Sequence, residues 1–219
     1  MIRIIMAFLL LSVSSLSFAG KSYSWQCSSF FINSEGYIAT AAHCINHSED
    51  IAVIVNKQWN KAKVIAVDYD NDVAIIKINK YTPDYFKIAI RPNSDDVVYI
   101  LGYPLVDQRG YDLKIQKGSV KSENQKLYRV AGGSCEGNSG GAVVNSSNNV
   151  IGVLSFGYGS SPCAYFVGVR KIQHVLFLAK IYNIRVDVPA AQGPMLYNED
   201  RVRNADIHKV PILYGTKSE

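Results

Sequence analysis

Residues 132–141 read GGSCEGNSGG, with five glycines, two serines and a cysteine in ten positions. Such a stretch contributes little packing and costs backbone entropy to order, so it persists where the chain bends sharply or offers its N–H groups to a ligand. A serine hydroxyl is a weak nucleophile that needs an adjacent base and fixed donors for the oxyanion it generates. The glycines around Ser139 let the chain turn so that the Gly137 and Ser139 N–H groups point at one spot. Read alone, GNSGG is equally a glycine-rich turn between strands, and the rest of the chain has to decide.

The base must be a histidine, and the chain holds four: His43, His47, His174 and His208. His43 lies in TAAHC (residues 40–44), at the end of an apolar run and beside a cysteine that would hold its backbone. His47 sits in a polar loop, His174 on the polar side of a helical segment, and His208 in an unpatterned tail. A third group, a carboxylate, must orient the imidazole. DYDNDVAIIKI (residues 68–78) offers Asp68, Asp70 and Asp72. Asp72 stands where the turn becomes a strand, the position most suited to partial burial, while Asp68 and Asp70 read as solvated turn residues.

Around these segments run short apolar or alternating stretches: 28–32, 37–42, 51–55, 63–67 and 73–78, then 97–101, 113–120, 127–130, 142–144, 150–155 and 164–169. Turn residues separate them, as in Asn33-Ser34-Glu35-Gly36, and the rhythm is all-β. Residues 91–96 (RPNSDD) divide the runs into two sets, which predicts two small β domains over 20–92 and 97–170. Only residues 171–184 change period, with Ile172, Val175, Leu176, Leu178, Ala179 and Tyr182 on one helical face docking on the second domain. Residues 189–219 carry no periodicity and are read as a linker, an extended wrap or a disordered tail.

The N-terminus reads as an export signal: Arg3, the apolar run 4–13, and Ser17-Phe18-Ala19 as a cleavage site, so residues 1–19 are set aside. No later stretch reaches the roughly 18 apolar residues of a spanning helix, and a secreted or periplasmic protein without stable membrane insertion is expected. The formal charge is +5, spread over scattered lysines such as Lys57, Lys61, Lys77 and Lys87, which argues against a nucleic-acid partner. Four cysteines, Cys27, Cys44, Cys135 and Cys163, fit two disulfides in an exported chain, with three connectivities open. Their spacing matches no zinc site.

TAAHC, NDVAII and GNSGG, in this order, closely resemble the His, Asp and Ser segments of the trypsin-like serine peptidases of chymotrypsin fold, in a compact bacterial form. The resemblance runs from Cys27 to Tyr182 and omits the tail. It implies two six-stranded antiparallel β-barrels and a C-terminal helix, with His43 and Asp72 on the first barrel and Ser139 on the second. It implies a serine endopeptidase acting through an acyl-enzyme on protein or peptide substrates, with the Gly137 and Ser139 amides as oxyanion hole and with no cofactor or metal. It pairs Cys27 with Cys44 and Cys135 with Cys163. Substrate would add as a strand along SFGYG (residues 155–159), against Ser155, Phe156 and Gly157, with Ser134 and Glu136 beside it.

Where digestive members carry an aspartate before the serine, this chain has Asn138, and no Ile-Val-Gly-Gly start follows the signal, so activity without zymogen cleavage is expected. Gly133 stands at the pocket-base position of trypsin's aspartate, Leu154 replaces the histidine of glutamate-specific relatives, and Val167 and Gly168 lie near the floor. Cleavage after small or medium apolar residues follows. The competing reading is a catalytically silent module of protease fold used for binding or adhesion, which the presence of all three side chains argues against. A protease with chaperone character would bring a further peptide-binding domain, for which residues 189–219 are too few.

Overall fold

The computed structural model describes residues 22–46, 50–89, 97–159, 161–188 and 209–218. The expected signal, the 91–96 linker, His47, His208 and the tail from 189 to 208 lie outside the described residues. Two barrels organise the chain. The second is built from consecutive strands, β7 (Val97–Gly102), β8 (Lys114–Glu123), β9 (Leu127–Cys135), β10 (Ala142–Asn145), β11 (Val150–Gly157) and β12 (Cys163–Lys171). They close in the order β10-β11-β12-β9-β8-β7, around a core that includes Val98, Ile100, Tyr128, Val130, Ile151 and Val167.

The first barrel contains β1 (Ser22–Ser28), β2 (Phe30–Phe31), β3 (Tyr37–Thr40), β4 (Asp50–Val55), β5 (Gln58–Asp68) and β6 (Val73–Ile78). In β4, Ile51, Val53 and Val55 are buried and alternate with more exposed neighbours, the two-residue period of a strand with one face in the core. The remaining strand comes from the tail: β13 (Ile212–Ser218) lies antiparallel between β1 and β4. The sheet order is β1-β13-β4-β5-β6-β3-β2. It counts seven strands, but β1 and β2 are separated by Ser29 alone, so one bent strand forms both edges and the barrel is nearly closed.

β13 replaces the patternless tail of the sequence reading. Val210, Ile212 and Leu213 are buried in the first core, and Gly215 faces Trp25 across the β1 pairing. Beyond the short helix α1 (Val106–Arg109), the helix α2 (Ile172–Ile181) buries Ile172, Val175, Leu178 and Ala179. Expected on the second domain alone, it packs on β6 and β5 of the first barrel as well as on β11 and β12. Every residue of β11 from Val150 to Ser155 is buried, because that strand faces the second core on one side and the α2 and first-barrel side on the other. Among the described residues no helix is long and apolar enough to cross a membrane.

Candidate active site

His43 leaves β3 in a short 3₁₀ turn, Ala42–Cys44, whose outer residues are buried while the imidazole stays about half exposed. Cys44 is bridged to Cys27, which ties this turn to β1. The His43 main-chain N–H donates to Asp72 Oδ1 at 2.9 Å, and Nδ1 lies 3.0 Å from both carboxylate oxygens. An ionised carboxylate only accepts, so Nδ1 carries the proton and Nε2 presents its lone pair.

Asp72 occupies the last position of the turn before β6 with φ 51°, a left-handed conformation that aspartate tolerates better than most residues. Asp68 shapes that turn by accepting from the Asn71 main chain at 3.0 Å and its side chain at 2.6 Å, whereas Asp70 is exposed. Burial works to raise the Asp72 carboxyl, but the hydrogen bond and charge of the His43 ring, the Ser155 hydroxyl and the His43 N–H together hold it below the usual carboxylate range. The Ser155 hydroxyl donates to Asp72 Oδ2 and accepts from Arg170 Nε at 3.3 Å. The β11–β12 register slips between Leu154 and Phe156; Ser155 is the extra residue, and the bulge turns it toward Asp72.

Ser139 lies between β9 and β10. Its carbonyl accepts from Ser28 N at 2.8 Å, and Gly140 N donates to the Leu154 carbonyl at 2.7 Å. Gly140 has φ +82°, and a Cβ there would run into Thr40 Oγ1 and the Ser28 carbonyl, so only glycine lets the second barrel press so closely on β1. The Ser139 hydroxyl donates to the Ser155 carbonyl at 3.4 Å. Among the described residues, the N–H groups of Gly137 and Ser139 have no acceptor.

A cavity of about 110 Å³ beside Ser139 is lined by Ser134, Cys135, Glu136, Leu154, Phe156, Gly157, Ser161, Pro162 and Ala164. Cys135 is bridged to Cys163 at its wall. Of the sequence-predicted pocket residues, Ser134, Glu136, Phe156 and Gly157 meet here. Val167 does not, being fully buried in the second core. Gly133 lies against the Gln116 side chain, and Ser155 serves Asp72. Leu154 and Ala164 form the apolar wall instead, placed by the β11–β12 pairing that no motif encodes. A larger apolar cavity of about 490 Å³ on the first barrel, between the β4–β5 turn and Val210–Ile212, contains none of these groups; its volume does not locate the chemistry.

Residues of β1 also reach the site. Ser28, the last residue of β1, and Ser29 after it are fully buried, directly ahead of the buried apolar residues Phe30, Phe31 and Ile32; that pair of buried hydroxyls is the signal in the sequence. The Cys27, His43 and Cys44 side chains cluster, but both sulfurs belong to the disulfide and offer no thiolate.

A family profile described as "Trypsin-like peptidase domain" matches residues 27–153. The chain is 30% identical over 142 residues to a probable periplasmic serine endoprotease DegP-like of Pseudomonas savastanoi pv. phaseolicola, covering 58% of this chain and 28% of that protein. It is 31% identical over 137 residues to the serine protease Do-like HtrA of Lactobacillus helveticus, covering 56% of this chain and 33% of that protein. It thus spans about a third or less of these relatives' length. Among solved structures it resembles the HtrA-type protease AlgW with decapeptide, with TM-score 0.65 and 20% identity over 72% of this chain and 51% of that one, a likeness of fold.

Proposed function

Because the chain belongs to the trypsin-like peptidase family, we propose that it is an exported serine endopeptidase in which Ser139, His43 and Asp72 act as the catalytic triad. The observation that carries this reading is the His43–Asp72 pair at 3.0 Å, on a barrel pressed against a serine whose own N–H and that of Gly137 donate to no backbone acceptor among the described residues.

Substrate main chain adds along residues 155–157. On that side β10 pairs with β11 only as far as Val153, which leaves the edge open. A substrate N–H bonding the Ser155 carbonyl takes over the acceptor that now holds the Ser139 hydroxyl, and the hydroxyl turns to His43 Nε2. Ser139 Oγ then attacks the scissile carbonyl as its proton passes to Nε2, and the Gly137 and Ser139 amides hold the oxyanion. Asp72, kept ionised, stabilises the imidazolium. The intermediate collapses with return of that proton to the leaving amine, giving an acyl-enzyme ester. Water, deprotonated by His43, hydrolyses the ester and restores the serine.

The cavity beside Ser139 favours a small or medium aliphatic residue before the cleaved bond. At about 110 Å³ it falls short of the roughly 150 Å³ that accommodates a benzene ring. Glu136 is exposed at its mouth, and its lining carries no other carboxylate to pair with a buried cationic side chain.

A fluorophosphonate probe tests the reading together with a peptide library. Labelling of the wild type but not of Ser139→Ala, with cleavage after alanine or valine in preference to phenylalanine or lysine, is expected. A wild type that neither labels nor cleaves makes the chain a binding module of this fold.

A further inference from the structure

The two peptide planes flanking Gly137 are held from outside their own loop. The Glu136 carbonyl accepts from Leu105 N at 2.9 Å, and the Gly137 carbonyl accepts from Ser28 Oγ at 2.8 Å. Gly137 has φ +90°, and a glycine has little torsional preference of its own to keep it there. Fixing both planes fixes the angle, and with it the direction of the Gly137 N–H.

Ser28 does more than accept a place in β1. Its hydroxyl takes the Tyr103 N–H at 2.9 Å and gives its own proton to Gly137, while its main-chain N–H holds the Ser139 carbonyl at 2.8 Å. One fully buried residue of the first barrel therefore grips the carbonyls of both residues whose amides form the oxyanion hole. Gln26 Nε2 backs the same point, at 2.9 Å from the Tyr103 carbonyl and 3.4 Å from that of Gly137. Tyr103 is anchored in turn: its phenol donates to the Val210 carbonyl at 2.8 Å, at the run-in to β13.

We propose that Ser28 is a positioning residue for the oxyanion hole, and that Tyr103 connects it to the C-terminal strand. This rests on the peptidase reading above. It adds that the first barrel, besides supplying His43 and Asp72, sets the aim of donors carried by the second. Without the Ser28 hydroxyl, the Tyr103 N–H loses its acceptor and the Gly137 carbonyl its nearest donor. The Gly137–Asn138 plane can then rotate, the φ of Gly137 is fixed from one side only, by the Leu105 bond to Glu136, and the segment that carries both amides loses its set shape.

The test is Ser28→Ala, with Tyr103→Phe as a milder variant that keeps the ring. Deleting an oxyanion donor costs about 10²- to 10³-fold in kcat, so a misaimed donor should cost on the order of 10- to 100-fold in Ser28→Ala, with KM nearly unchanged. Affinity for a peptide boronic acid, whose oxygen enters the hole, should fall in parallel, while affinity for a non-covalent product peptide should not. Independently of turnover, hydrogen exchange followed by mass spectrometry should quicken across residues 134–141 in both variants and stay unchanged in the second-barrel core. Unaltered kcat and exchange overturn the proposal, as does exchange that quickens everywhere at once. If Ser28→Ala does not fold, Tyr103→Phe without faster exchange at 134–141 overturns it. A wild type that hydrolyses nothing, beside a Ser28→Ala variant whose exchange quickens locally, removes the peptidase reading and leaves the positioning role standing.

Discussion

Replacing Leu213 by alanine measures how deeply the C-terminal strand belongs to the first barrel. Leu213 is fully buried and stands opposite Cys27 on one side and Val53 on the other. Neighbours held by two sheet pairings cannot collapse freely into the vacated space, so the substitution should cost about 2–5 kcal/mol. Thr216, in the same strand but exposed, should cost less than about 0.5 kcal/mol when changed to alanine. In urea, with a slope of about 1–3 kcal/mol per molar, the Leu213→Ala midpoint should fall on the order of 1–2 M below that of Thr216→Ala. Trp59 supplies the optical signal, since its ring packs at a 48° tilt against Tyr214 of β13, with 4.9 Å between centroids. Equal midpoints for the two variants would mean that the strand lies on the barrel without forming part of its core.

Two further outcomes follow from the charged groups. Asp72→Asn keeps the shape of the carboxylate but cannot hold His43 in the required tautomer or stabilise its charge, so kcat on a peptide substrate should drop on the order of 10⁴-fold; a loss under tenfold would remove Asp72 from its role. The His174 imidazole is held below its ordinary value chiefly by burial, against a hydrogen bond from its ring to the Lys126 carbonyl and the charge of Asp68. A depressed folded value gives stability that is present above the unfolded pKa, about 6.5, and lost as pH falls through the folded one. The stability of the wild type relative to His174→Gln should therefore shrink between about pH 7.5 and 5; a difference independent of pH would refute this.

Much of the fold is legible where a strand carries its own pattern. The runs at 51–55, 73–78 and 97–101 coincide with β4, β6 and β7 to within a residue, because each buries alternate or continuous apolar side chains. β5 begins at Gln58, five residues before its apolar run, since hairpin pairing with β4 continues along side chains that face water. β13 escaped because its ladder is supplied from both sides by strands distant in sequence, and Gly215 interrupts its alternation. The His43, Asp72 and Ser139 segments stood out as motifs because their chemistry fixes residue identity. Ser28 and Gln26 left no such mark, because their roles come from barrel-to-barrel contact, and Arg170 none, because it reaches Ser155 across the β11–β12 pairing; a linear reading cannot anticipate either.

The position of β13 also orders events in time. Trp25 cannot pair with Gly215 until the ribosome has passed the nearly 200 residues that separate them. The second barrel, whose six strands follow one another, can close from nearer contacts, and short loops close faster than long ones. The first barrel therefore completes last. A chain synthesised from its N-terminus has the strands of both barrels in hand before β13 takes its place between β1 and β4. Ser28, which pairs with Ile212 of that strand, reaches its final surroundings only then, and with it the Gly137 carbonyl that its hydroxyl holds.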